Sequence, residues 1–184
     1  MKRIILVLCA LLIPTLAQAE TGFQFAAPNL NAPDDESVNG MRLSVIWGKN
    51  DRMSGLDLGL LSMSETRERS GFALIMGVSR VTGSTTSGAN FSLINYHSGK
   101  DSGVNAGFIN LLNDASGAFN VGFVTIAQKG TLADLGGLNM SESSTAQIGF
   151  INITKEIKSF QFGFINMAEN GFFPIFPFVN FPKQ

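Results

Sequence analysis

The chain has 184 residues, with 13 basic and 14 acidic side chains, one histidine and one cysteine. A formal net charge of −1 gives no basic field for nucleic acid, and a lone cysteine excludes a disulfide framework within the chain. Phe occurs 16 times against one Tyr and one Trp, so the aromatic content supplies apolar area with almost no hydrogen-bonding handles.

Residues 1–19 read as a cleaved export signal. Lys2 and Arg3 supply the positive start, Ile4 to Leu16 the apolar run, and Ala17-Gln18-Ala19 a small-x-small cleavage site before Glu20. The apolar run is shorter than the roughly 20 residues that a helix needs to cross a bilayer. Cys9 lies inside it, so cleavage would leave a chain without cysteine. Removing Lys2 and Arg3 also leaves 11 basic against 14 acidic side chains, a net charge of −3.

Residues 20–39 form an N-terminal segment ahead of the repeats, and residues 40–184 a single repeat β domain. Asp34, Asp35 and Glu36 follow Pro33 and read as a solvated loop, not as an acid/base pair. From residue 40 onward one unit recurs. Its looser copies centre on Ser44, Gly59, Ile75 and Ser92; its clearer ones centre on Gly107 in VNAGFINLL, Gly122, Gly136, Gly149 in QIGFINIT and Gly163 in QFGFINMA. A last copy centres on Pro177. The centres are 13 to 17 residues apart, a period that marks one supersecondary unit per copy.

Within a copy the hydrophobicity alternates with period two, as in a strand. Ile148, Phe150 and Asn152 are expected on one face, and Gln147, Gly149, Ile151 and Ile153 on the other. Between copies lie polar segments such as GKNDRMSG, SETRERSG, HSGKDSG and TKEIKS, which carry the turn formers and nearly all the charge. Two architectures fit such a period. An antiparallel meander of about ten repeat strands, closed or rolled into a small barrel, uses each copy as one strand and each polar segment as a turn of usual length. A parallel β-solenoid uses each copy as one coil and stacks the recurring Asn as a ladder. Its return stretch must then form a second wall, for which TKEIKSF offers little apolar surface. The meander is therefore the expected fold and the solenoid its alternative.

In a barrel the Phe-rich face would meet lipid and the Gln, Gly, Asn and Ser face would line the interior, with Arg42 and Asp57 inside and Ile151, Ile153, Ile165 and Met167 plugging the lumen. Scarce Tyr and Trp, short turns at both ends and the ending FPFVNFPKQ depart from the usual membrane barrel.

At the GFIN copies the chain resembles a family of exported bacterial proteins, found in vibrios and leptospires and described as surface-repeat proteins, whose hallmark is a tandem GxQxGxxN unit. GVNAGFIN, AQIGFIN and FQFGFIN carry it, with NGMRLSVIWGKND, SGLDLGLLS and the Phe/Pro-rich end. The resemblance implies surface or outer-membrane placement in a Gram-negative cell and no activity. Ile75 and Pro177 depart from the pattern.

No residue pattern points to catalysis, a cofactor or a metal. His97, the sole histidine, reads as a solvated turn residue; a Ser-His-Asp arrangement would have to use it, and no G-x-S-x-G elbow opens a helix pattern. The segment ETRER reads as a charged turn, and the glycines around Gly83 precede a strand, not a phosphate-binding helix. The sharpest shared polar feature is Asn95, Asn110, Asn152 and Asn166, candidate binding or strand-capping residues. The expectation is a non-enzymatic exported β-repeat protein, a small outer-membrane barrel with a structural or surface role and lipid as its neighbour. Its alternative is a periplasmic or secreted binding module for an apolar ligand or a protein partner.

Overall fold

A computed structural model describes residues 20–34, 36–83 and 85–183, so the export-signal reading lies outside the described residues. Among these residues the chain is all β, in the order β1 (Glu20–Ala27), β2 (Leu30–Ala32), β3 (Ser37–Val81), β4 (Thr85–Ala168) and β5 (Ile175–Asn180). A straight strand as long as β4 would extend roughly 280 Å at about 3.3 Å per residue. Instead β3 and β4 wind, and each turn of the winding pairs with the one before it. The pairing is parallel: Gln24 sits beside Arg42, Arg69 beside Thr86 and Ser79 beside Asn95.

This corrects the expected antiparallel meander. Neighbouring copies run in the same direction, so each is one coil of a parallel β-solenoid, and the polar segments expected as hairpin turns are the return walls of the coils. Among the described residues antiparallel pairing occurs where β2 reverses onto β1, where β5 reverses onto β4, and at the bridge of Gly171 with Pro182. A return wall with little apolar surface disfavours a solenoid only when the interior is apolar. Here the interior is polar: among the described residues thirty buried side chains are polar or charged and twelve apolar, so the return wall needs hydrogen-bonding groups more than apolar area. One small apolar cluster, Leu112, Ala115, Ala118 and Ala127, fills the middle.

The repeat motif now has a physical account. Asn152 donates to Asn166 Oδ1 (2.8 Å) and to the carbonyl oxygen of Phe162 (2.9 Å), and accepts from Asn139 Nδ2 (2.8 Å). Asn95, Asn139 and Asn152 each bind an Asn one coil on and also pin that coil's backbone. The glycine of GFIN makes room for this ladder: a Cβ at Gly163 would come within 2.7 Å of Asn152 Nδ2. Replacing Asn152 with Leu strands the groups of Asn139, Asn166 and Phe162. The expected cost is about 3 kcal/mol, since each buried unpaired group costs roughly 1–3 kcal/mol, read as a lower urea midpoint.

The alternation slips once per coil. Gln147 and Gly149 point in and Ile148 and Phe150 point out as expected, but Asn152 points in with them, not out with Phe150. The phase changes at the corner, where Phe164 and Ile165 are both exposed, and where Ile46 and Leu61 adopt φ of 66° and 44°. Two adjacent outward residues turn the chain from one wall to the next. Ile151, Ile153, Ile165 and Met167, expected to plug a lumen, are half-buried or exposed and flank or follow the corner. Asn and Gln fill the space instead.

Candidate functional site

Two features stand out: a sealed polar network and a bare apolar face. The network begins at Arg42, which donates through Nε and Nη2 to the two carboxylate oxygens of Asp57 (2.9 and 2.7 Å) and also to Ser64. Arg69 Nη2 reaches the same carboxylate at 2.8 Å, and all three side chains are buried. The sequence placed Arg42 and Asp57 inside but read Arg69 as part of a charged turn. The structure buries Arg69, because the return wall also faces inward at alternate residues.

His97 is likewise buried, a correction to its reading as a solvated turn residue. Its Nδ1 donates to Asp101 Oδ2 (2.8 Å), and its Nε2 lies 3.4 Å from Ser79 Oγ. The order resembles a hydrolytic triad, yet Ser79 and Asp101 are as buried as His97, and Ser79 Oγ also accepts from Arg69 Nη1. Ser79 Oγ thus lies out of contact with solvent. The i, i+4 spacing of His97 and Asp101 within one return wall was the only sequence signal for this pair.

Asn90, Asn105, Asn120 and Asp134 continue the chain of bonds at 3.1, 3.0 and 2.9 Å, and Gln147, Gln161 and Asn180 extend it to β5. The candidate residues Asn95, Asn110, Asn152 and Asn166 form the companion ladder in the same interior. Asn95 donates to Asn110 (2.9 Å), and Asn110 to Thr125 Oγ1 (3.2 Å). All four are fully buried, so the structure brings them together as internal rungs, out of reach of a soluble ligand. Among the described residues no group of His, Cys, Asp and Glu has metal-binding spacing.

Two carboxyls in this network titrate in opposite directions. Burial pushes Asp57 up, but the guanidinium groups of Arg42 and Arg69 and the hydrogen bonds outweigh it and hold the group below its usual range. Burial pushes Asp134 up, and donation from Thr131, Asn120 and Gln147 offsets only part of this. Burial also brings Arg69 down to about 10, still cationic at neutral pH.

A depressed carboxyl stabilises the fold above its unfolded pKa and loses that contribution as pH falls through its folded value. A raised carboxyl does the reverse, costing stability as pH rises from its unfolded value of 3.8 through its folded one. Urea unfolding followed upward from about pH 4 should therefore show Asp134→Asn with a smaller decline as pH rises than the parent.

Outside, the residue after the central position of most copies makes a column of exposed side chains, Leu60, Met76, Leu93, Phe108, Phe123, Phe150 and Phe164, interrupted by Gly137 between Phe123 and Phe150. The parallel register stacks the rings: centroids lie 5.2 Å apart for Phe108 and Phe123 and 4.6 Å for Phe150 and Phe164. Beside the column, a groove of about 370 Å³ opens where Ala106 stands among Leu61, Leu74, Phe91 and Leu93. Charges gather in the polar segments between copies, where Lys49 and Arg80 reach Glu65, Arg67 reaches Asp51, and Lys155 reaches Glu142 from coil to coil. Among the described residues no helix is long and apolar enough to cross a membrane. Comparison with known protein families, curated proteins and solved structures yields no match.

Proposed function

We propose that this chain is a non-enzymatic exported β-repeat protein with a structural or surface role at the outer membrane or cell surface, and that its exposed aromatic column is the working surface. One observation carries the reading: the molecule is polar within and carries outside a column of exposed large apolar side chains that stack from coil to coil. Exposed apolar area on that scale marks an interaction surface. Stacking of the coils holds the column in place, and among the described residues buried polar side chains fill the interior. The role is accordingly one of contact, with lipid or another apolar surface as the partner and nucleic acid disfavoured by the acidic balance.

A second reading is a periplasmic or secreted binding module, favoured by the groove beside Ala106, whose size falls in the range of small-ligand sites. Fractionation of a tagged copy separates the two. Recovery in the membrane fraction, released only by detergent, is the expected result. A clean monomer in the periplasmic fraction without detergent would refute membrane placement and leave the binding module. That module should then take up an apolar fluorescent probe and release it to extracted lipid.

A further inference from the structure

We infer that the C-terminal cap, residues 171–182, is a membrane-inserting tip that enters the hydrocarbon of a lipid leaflet while the aromatic column lies along the surface. The inference rests on the membrane reading above and adds which end goes in.

The cap holds six exposed large apolar side chains, Phe172, Phe173, Ile175, Phe176, Phe178 and Phe181. No charged residue occurs between Glu169 and Lys183. The rings are already packed on one another, with Phe172 and Phe173 edge to face at 4.9 Å and Phe173 and Phe176 stacked at 4.9 Å. Phe178 joins them to the long column through Phe164, 6.3 Å away. The tip is therefore the column's own end.

Unbonded backbone N–H and C=O groups are costly in hydrocarbon, and much of the cap's backbone is already bonded. Pro174, Pro177 and Pro182 have no N–H to satisfy. The Phe172 N–H donates to the Phe181 carbonyl (2.7 Å), and the Phe181 N–H to Asn180 Oδ1 (3.1 Å). The carbonyls of Phe173, Pro174 and Phe176 accept from Asn180 Nδ2, the Ala168 N–H and Asn166 Nδ2 at 3.2, 3.1 and 3.1 Å. β5 also pairs along β4.

The same prolines argue against a second copy of the chain as the occupant. A partner strand needs a row of free donors, and prolines on an edge remove them. The four residues Ile175 to Phe178 are moreover exposed in succession, so the segment is bare on both sides. A flat protein face would cover one side, whereas fluid acyl chains fill both. Lys183 follows directly and can reach back to the headgroups.

The test uses the protein recovered from exporting cells and phosphatidylcholine vesicles. Phe172→Ser with Phe173→Ser should lower vesicle partitioning by about a hundredfold, because burial of one Phe is worth roughly tenfold or more; far-UV circular dichroism should stay unchanged. Phe172→Trp in a Trp47→Phe background should be quenched by lipid brominated deep in the chain more strongly than Phe123→Trp in the same background. This second measurement stands if the serine variant fails to fold.

Undiminished partitioning of the serine variant, or equal quenching at both sites, overturns the inference and leaves the column as the lipid contact. A wild-type protein that fractionates with membranes yet does not bind these vesicles overturns it too, as does a dimer in solution that Phe172→Ser with Phe173→Ser dissolves. Absence from the membrane fraction sinks the membrane reading itself.

Discussion

Replacing Asp57 with Ala is expected to cost about 3–5 kcal/mol, the range for breaking a buried ion pair by removing one partner. The carboxylate is shared by two guanidinium groups with no solvent to turn to, and Ser64 donates to it as well at 2.7 Å. Without it Arg42 and Arg69 face each other as buried like charges. A small domain has only about 5–15 kcal/mol in hand, so the variant should show a sharply lower thermal midpoint or poor recovery of folded protein.

Asp57→Asn tests the cause, because it keeps the shape and removes the charge. It should lose most of the same stability. Arg67→Ala removes an exposed pair with Asp51 at 3.3 Å and should change stability by less than about 1 kcal/mol. If Asp57→Asn proves as mild as Arg67→Ala, the buried cluster is not what holds the first coils together.

The second large effect belongs to a glycine. Gly88 has φ of 102°, and a Cβ there would stand closer than 3.0 Å to the Gly71 carbonyl oxygen in the adjoining coil. Neither can give way, since both are backbone in a stacked ladder that also joins Gly71 to Gly55 and Gly103 to Gly88. Gly88→Ala should therefore cost about 3 kcal/mol or more, combining a disfavoured backbone region with a steric clash.

Gly22 provides the contrast. Nothing lies within 4 Å of a Cβ built there, and Gly22→Ala should be nearly neutral. Chemical denaturation of the two variants side by side decides the matter; equal effects would mean that coil spacing does not depend on these close approaches. In a stacked repeat each coil contacts only its neighbours, so the damage at Gly88 should also appear as faster amide exchange in the flanking coils.

The spacing of the copies, the all-β character and the division between small inward and large outward residues were legible in the sequence alone. Each is a local property: a period of two within QFGFINMA, and a recurrence at 13 to 17 residues. The same local evidence could not choose between meander and coil, because period-two alternation is identical in both. The choice rested on bonds between residues about one coil apart, such as Asn95 to Asn110 and Asn152 to Asn166. These convert a polar interior from a liability into the element that joins the coils.

The candidate asparagines divide in the same way. Their recurrence was visible, but their place inside the coil depends on the corner slip at Phe150 and Ile151, which no alternation pattern announces. Arg69 and His97 looked like solvated turn residues because their immediate neighbours are polar; their partners Asp57, Ser79 and Asp101 reach them only once the return wall closes. Sequence fixes which residues repeat and which are large or small, since those are facts of each short segment. Tertiary structure decides direction, inside and outside, because a buried polar group is tolerable only when a distant residue arrives to bond it.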